Sequence, residues 1–439
     1  MRLRRRELFP GVFLSTIESN KFKSDCLSLN LLAPLERETI SKNALLPRVL
    51  ARGTMFHPDM DSLNAAMEEL YGAQILPIVR KKGEMLALGF YAGFLSGSYV
   101  PDKSPLLERA CALLGELLLS PATRGGLLLR DYVDSEKEKL IDDIRAKLND
   151  KRSYAPARAV ELMCAYEPYG CDDMGDEAGA EAVGYVDLTR HYRDLLQSCP
   201  IELFYCGSAR TEKVAQALHD ALITLPRGCL NEDLGTDVRM NALEDRPREF
   251  HERLDVGQGK LCLGFRLGQC MEDPDLPAIL VFNTLYGGSV NSRLFRSVRE
   301  ERSLCYYIDS VCDRMKGVML VSSGVDFADF QAAKAEILAQ LDSLARGEIT
   351  DEELRSAKNT VVSALRGVMD SPAALENYYL FQTLCGLAYG PEEDAALSDE
   401  VTREDVQAIA QSVELDAVYY LEADEEAEEE GEATDDAAL

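Results

Sequence analysis

The sequence predicts an α+β protein built from two tandem, duplicated domains, each a mainly antiparallel sheet with helices packed on one face. Three observations carry this. A short pattern recurs, because Lys82-Gly83-Glu84-Met85-Leu86 has a counterpart 234 positions later in Lys316-Gly317-Val318-Met319-Leu320. Upstream of both, a strand, an apolar helix and a small-residue turn follow in the same order. Each half then runs through amphipathic helices and closes on a strand-like segment. So long a period is unlike that of a solenoid repeat. Two copies of one domain explain it.

In the first half, Cys26-Leu27-Ser28-Leu29 has the composition of a strand, and Ala44 to Leu50 that of an apolar helix ending before Gly53-Thr54. Ser62 to Tyr71 is helix-like and leads through Gly72 into two strand-like runs, after which Gly93 to Ser98 forms a small-residue turn. Pro105 to Leu119 and Leu129 to Asn149 place apolar residues three and four apart, the helical spacing, and Pro200 to Tyr205 closes the half. The second half repeats the scheme. Cys262-Leu263-Gly264-Phe265 is the strand, Ala278 to Leu285 the apolar helix, and Gly287-Gly288-Ser289 the turn. Ser292 to Ser303 is helix-like, Ala328 to Leu344 and Asp351 to Met369 are amphipathic, and Ala417 to Leu421 is the closing strand. Between the halves, Pro226 to Leu254 is polar with little apolar periodicity, as an exposed linker would be. The expected boundaries are a first domain over 1–225, a linker over 226–250, a second domain over 251–422 and an acidic tail over 423–439.

Composition narrows the functional classes. At 439 residues and 46% hydrophobic, the chain is long enough for two cores. Its net charge of −29 repels phosphate backbones, so nucleic acid is excluded as a partner. Ten of the acids lie between Glu422 and Asp436; that tail is expected to be disordered and solubilising, with an interaction tail as the alternative. No apolar run reaches the 18 residues of a membrane span. The basic start Met1 to Arg6 is followed by Glu7 and Pro10, so no secretory leader is expected. Twelve cysteines are scattered singly without a CxxC. Even the equally spaced pairs Cys164/Cys171 and Cys199/Cys206 are best explained as buried thiols of a cytoplasmic protein.

The familiar catalytic patterns are missing. His57, His191, His219 and His251 include no pair spaced to bind one metal from a helix, and each is expected on the surface or in a loop. There is no GxSxG elbow, no GxxxxGK[ST] phosphate loop and no GxGxxG opening a helix.

One segment does carry a signal. Tyr286-Gly287-Gly288-Ser289-Val290-Asn291-Ser292-Arg293-Leu294-Phe295, followed by Val298-Arg299-Glu300-Glu301 and Leu304-Cys305-Tyr306, resembles the C-terminal motif of the pitrilysin/insulinase metallopeptidases, the inverted-zincin enzymes. That resemblance covers all but the acidic tail and implies the LuxS/pitrilysin-like metallopeptidase fold. The family's H-x-x-E-H should precede a Gly-Thr, and counting back from Gly53-Thr54 that window is Ala44-Leu45-Leu46-Pro47-Arg48. Ala44 has no lone pair, Pro47 cannot act as general base, and Arg48 is a fixed cation that cannot ligate zinc. The family's third ligand is a glutamate seven residues after another glutamate; here Glu136 is followed by Asp143. The resemblance therefore implies a protease scaffold with no metal and no catalytic residues of its own. Arg48 and Asp143 are expected to pair in the vacated site.

In split members of the family the chamber forms between two chains, one catalytic and one not. An arginine and a tyrosine of the last domain reach across to hold the substrate backbone, and Arg299 and Tyr306 match them. The alternative is that Arg299 pairs near Glu300 or Glu301 and that Tyr306 is a plain strand residue. Phe22-Lys23, Lys42 to Pro47 and Leu70-Tyr71-Gly72-Ala73 resemble the non-catalytic bacterial members associated with 5-aminopentanol modification of elongation factor P, which are encoded beside a zinc-competent relative. The implied partners are that sister subunit, which alone would carry zinc, and a peptide or protein substrate. Two other readings stay open. The chain could bind peptides or assist assembly without proteolysis, or an unconventional metal site could draw on His57, His191, His219, Asp143 and cysteines.

Overall fold

The computed structural model describes residues 3–100, 104–231, 234–268 and 276–424, which fall into two compact units. The first comprises Met1–Arg145, Cys171–Thr236 and Val368–Gly390. Its strands are β1 (Leu3–Phe9), β2 (Val12–Glu18), β3 (Ser24–Pro34), β4 (Gln74–Lys82), β5 (Met85–Leu95), the two-residue pair β6 (Thr123–Arg124) and β7 (Leu127–Leu128), and β8 (Ile201–Gly207). The main sheet has the order β1-β2-β8-β3-β5-β4, with β2 and β8 parallel and every other pair antiparallel. Side chains alternate across a strand. Leu27, Leu29, Leu31 and Ala33 of β3 therefore join one core, closed by helices Ile40–Leu50, Leu106–Leu119, Tyr185–Ser198 and Thr211–Leu222. The opposite face, through Ser28, Asn30 and Leu32, receives helix Pro372–Leu384. That helix starts cleanly, with Ser371 as its N-cap and Pro372 in its first turn.

The second unit comprises Ala146–Gly170, Asp237–Gly367 and Pro391–Leu439. Strands β9 (Arg248–Leu254), β10 (Gly259–Arg266), β11 (Tyr307–Asp313), β12 (Val318–Val325) and β13 (Glu414–Ala423) form a sheet of order β11-β12-β10-β13-β9. This repeats the order β4-β5-β3-β8-β2, down to the parallel pairing of β13 with β9. The recurring Lys-Gly has a physical cause. Gly83 and Gly317 both turn the chain between paired strands at positive φ (57° and 67°), where a Cβ would be strained. Helix Lys151–Met163 lies on the sheet face of Cys262 and Tyr419, through Ala155 and Ala159. Gly264 makes room for it, since a Cβ there would stand 2.3 Å from Met163 Sδ.

These units correct the contiguous domains expected from the sequence. Each takes one helix from the other half of the chain: Lys151–Met163 counts with the second unit and Pro372–Leu384 with the first. The strands reveal why. β3 and β10 are buried along nearly their whole length, so both faces of each sheet need an apolar cover.

Smaller departures follow. β9 begins at Arg248, inside the expected linker. Arg227, near the start of that linker, donates to the carbonyls of Pro10, Leu196 and Cys199 and so ties it to the first unit. β5 continues to Leu95, and the turn after it is the 3-10 segment Gly97–Tyr99. Glu422 and Ala423 belong to β13, while 425–439 of the expected acidic tail lie outside the described residues. Cys164, Cys171, Cys199 and Cys206 are all buried. Among the described residues no helix is long and apolar enough to cross a membrane.

Candidate functional site: a vacated metal centre

Helix Ile40–Leu50 carries the window where the metal motif was sought. Nine of its eleven residues are buried, which holds the helix together although Pro47 lacks the N–H that would bond the Asn43 carbonyl. Ala44 and Pro47 are both buried within it. Arg48, in the last turn of the helix, points Nη1 at Asp143 Oδ2 of helix Arg130–Ala146, 2.6 Å away. A second contact lies one turn further on. Arg52 Nη1 donates to Glu136 Oε1 at 3.0 Å, and Lys139 Nζ donates to the same oxygen at 2.7 Å. In the family the metal would join these two helices; here guanidinium–carboxylate pairs lace them together.

Those pairs border a cavity of about 740 Å³. Its walls are Met60, Leu63 and Met67 of helix Met60–Glu68, the edge strand β4 from Ile75 to Arg80, and Met174. The donor set does not fit zinc. A zinc site needs three or four nitrogen, sulfur or carboxylate donors around one point, and among the described residues no three of His, Cys, Asp and Glu gather that way. Arg48 and Arg52 present positive charge there instead.

The histidines are spoken for individually. His57 Nδ1 lies 3.2 Å from Glu116, His219 stacks on Phe9 and His251 on Tyr420. His191 corrects the surface expectation, for it sits half-buried on helix Tyr185–Ser198 with Nε2 2.6 Å from Asn43 Oδ1. Burial, reinforced by the charge of Lys42, pushes its pKa down to about 4, so the ring is neutral and Nε2 donates.

In the second unit most of the glycine-SRLF motif is used for packing. A Cβ on Gly287 would stand 2.6 Å from Ser310 Oγ of β11, so only glycine lets the helix end approach that strand. Arg293 grips Glu353 through two hydrogen bonds of 2.9 and 3.1 Å, Leu294 is fully buried, and Ser292 Oγ accepts from Phe295 N. The helix expected over Ser292 to Ser303 is shorter and wider-coiled than foreseen: after Arg293 and Leu294 it continues as a π-helical segment, Phe295–Glu301.

Arg299 and Tyr306 stay outside this packing. Arg299 is exposed, its guanidinium 4.5 Å above the Phe295 ring, and among the described residues no carboxylate pairs with it, Glu300 and Glu301 included. Tyr306 is 59% exposed and donates to Asp326 Oδ1 at 3.1 Å; that bond to a carboxylate raises the phenol's pKa. Burial raises the adjacent Cys305 thiol to about 11, against the opposing charge of Arg299.

Sequence reasoning missed Arg52 and Lys139. The signal was only their spacing: Arg52 stands four positions after Arg48, just past the helix end, and Lys139 four before Asp143 on the facing helix.

Known proteins bear on this site. Residues 183–361 match the family profile described as "Peptidase M16 inactive domain". The chain is 31% identical to the "Probable inactive metalloprotease YmfF" of Bacillus subtilis, over 94% of this chain and 96% of that one. A conserved protein of Enterococcus faecalis has the same fold at a TM-score of 0.87 and 25% identity, covering 97% of this chain and 99% of its own. The peptidase M16 inactive domain of Pseudomonas fluorescens, 16% identical, shares the fold at a TM-score of 0.75 over 97% and 99% of the two chains. With the zinc motif replaced by Ala44, Pro47 and Arg48 on an otherwise intact scaffold, the chain belongs to the pitrilysin/insulinase (M16) metallopeptidase family as an inactive, YmfF-like member.

Proposed function

We propose that the chain is the non-catalytic subunit of a two-chain zinc peptidase, pairing with a zinc-competent sister that cleaves a peptide or protein. The observation that carries this reading is the contrast within one motif: Gly287, Leu294 and Val298 are consumed by packing, while Arg299 stays exposed with no carboxylate partner among the described residues. In the assembled site Arg299 would donate N–H groups to the scissile carbonyl as it gains negative charge, the stabilisation an oxyanion hole supplies. Tyr306 would assist by redirecting its hydroxyl from Asp326. Zinc and the general base belong to the sister. The resemblance to YmfF-type proteins supports a place in the cytoplasm and a role alongside 5-aminopentanol modification of elongation factor P.

Co-expression with a zinc-competent relative, followed by pull-down and peptide cleavage, tests this. The pair should form and cleave, and Arg299→Ala should reduce cleavage about 100-fold, the size of a lost oxyanion donor. A pair that never forms, or whose rate ignores Arg299, sinks the proposal. A second reading is favoured by the cavity, whose apolar wall of Met60, Leu63, Met67 and Ile75 suits peptide capture without cleavage. It predicts that biological activity survives the loss of Arg299 and Tyr306.

A further inference from the structure

The cavity of the first unit is walled by a strand that the sheet holds on one side only. β4 pairs with β5 alone, and none of its nine residues is fully buried. Apart from its ladder to β5 and the half-buried packing of Ile75 and Val79 against the core, such an edge strand has little to fix its position. What it has instead is a set of polar anchors at its C-terminal end. Arg80 donates from Nη1 to Glu376 Oε2 at 2.6 Å and from Nη2 to Glu376 Oε1 at 2.7 Å, a two-pronged grip, and Nη2 also reaches Asn30 Oδ1 at 2.8 Å. Lys82 Nζ donates to Asn377 Oδ1 at 2.8 Å.

Glu376 is built to receive this grip. Its side chain is only 1% exposed, on helix Pro372–Leu384, and it also accepts from Ser28 Oγ at 2.8 Å and Asn30 Nδ2 at 3.2 Å. Burial alone would push its carboxyl toward the neutral form, but the bonds from Arg80, Ser28 and Asn30 hold its pKa below the usual value. The carboxylate therefore stays charged, and a buried carboxylate needs its cation. Arg80 in turn lines the cavity. We infer that Arg80 and Glu376 form a latch that positions β4 as the wall of the cavity, so that a helix from the far end of the sequence sets the shape of the vacated site. Both are positioning residues and perform no chemistry. That the cavity wall matters to a peptide rests on the function proposed above; the latch does not.

Hydrogen exchange of the full chain, followed by mass spectrometry, reads the latch directly. Arg80→Ala and Glu376→Gln should each speed exchange at residues 74–82 at least tenfold, with a smaller rise over 372–384 and no change over β3 and β8. Arg80→Lys, which keeps the charge but loses the fork, should fall between. Unchanged exchange over 74–82 in a folded Arg80→Ala protein overturns the inference, and so does an equal rise throughout the first unit. If the alanine variant fails to fold, Arg80→Lys and Glu376→Asp carry the same comparison. In the assembled pair, loosening β4 should raise KM at least fivefold and leave kcat unchanged. Local loosening with an unaltered KM overturns the link between latch and peptide, whereas failure of the pair to assemble overturns only the function proposed above.

Discussion

Arg48 and Asp143 meet at 2.6 Å across two helices that, in a zinc-bearing relative, the metal itself would join. Here a guanidinium–carboxylate pair joins them, with none of the dication's chemistry. The pair is partly open to solvent, Asp143 by half, so its worth is small.

Arg48→Ala should accordingly cost no more than about 1 kcal/mol, measured by urea unfolding. Restoring donors should do more. The fourfold variant Ala44→His, Pro47→Glu, Arg48→His and Asp143→Glu should bind zinc near one equivalent by metal analysis after dialysis, with at least tenfold less on the parent chain. Equal zinc on both chains would show that the parent holds metal by another route.

Arg266 and Asp416 are a buried pair of a different kind. Neither side chain is exposed, Arg266 Nε donates to Asp416 Oδ2 at 2.8 Å, and Arg248 adds a second bond at 2.7 Å. Glu167 bridges Arg266 to Lys316 in the same cluster. Asp416→Asn would leave these cations short of a carboxylate and should destabilise the second unit by about 3–5 kcal/mol in denaturant unfolding. A loss under 1 kcal/mol would mean the cluster contributes little.

His191 gives a pH signature. Its folded pKa of about 4 lies below the unfolded value near 6.5. The unfolded chain therefore binds this proton first as pH falls, and stability declines from about pH 6.5 toward pH 4. The full effect is up to about 3 kcal/mol. Unfolding of the parent and of His191→Gln at pH 7.5 and pH 5 should show a shallower decline in the variant; parallel declines would refute the assignment.

Arg299→Ala and Tyr306→Phe should leave the melting temperature of the lone chain within about 2 °C, since both side chains are exposed and touch little. Calorimetry checks this. A fall of 5 °C or more would assign these residues to the fold and not to substrate.

The duplication was legible in the sequence because strand alternation, helical spacing and the paired Lys-Gly turns are local patterns repeated at a fixed offset. So was the replacement of the zinc motif's donors, since no folding can give Ala44 a lone pair or Pro47 a proton to exchange. The glycine-SRLF segment was legible as a motif, but its division of labour was not: which of its residues pack and which face solvent depends on β11 and on Glu353, far off in sequence.

Sequence alone determined the repeated strand and helix order, the acidic surface and the absent zinc ligands, because these depend on residue identity and near neighbours. Only the tertiary structure decided that Lys151–Met163 and Pro372–Leu384 change places between the units, that Arg52 and Lys139 share Glu136, and that Arg80 closes on Glu376 from 296 positions away. The physical reason is common to all three. A sheet with two apolar faces and a buried carboxylate each require a partner, and no short-range pattern says which distant segment will supply it.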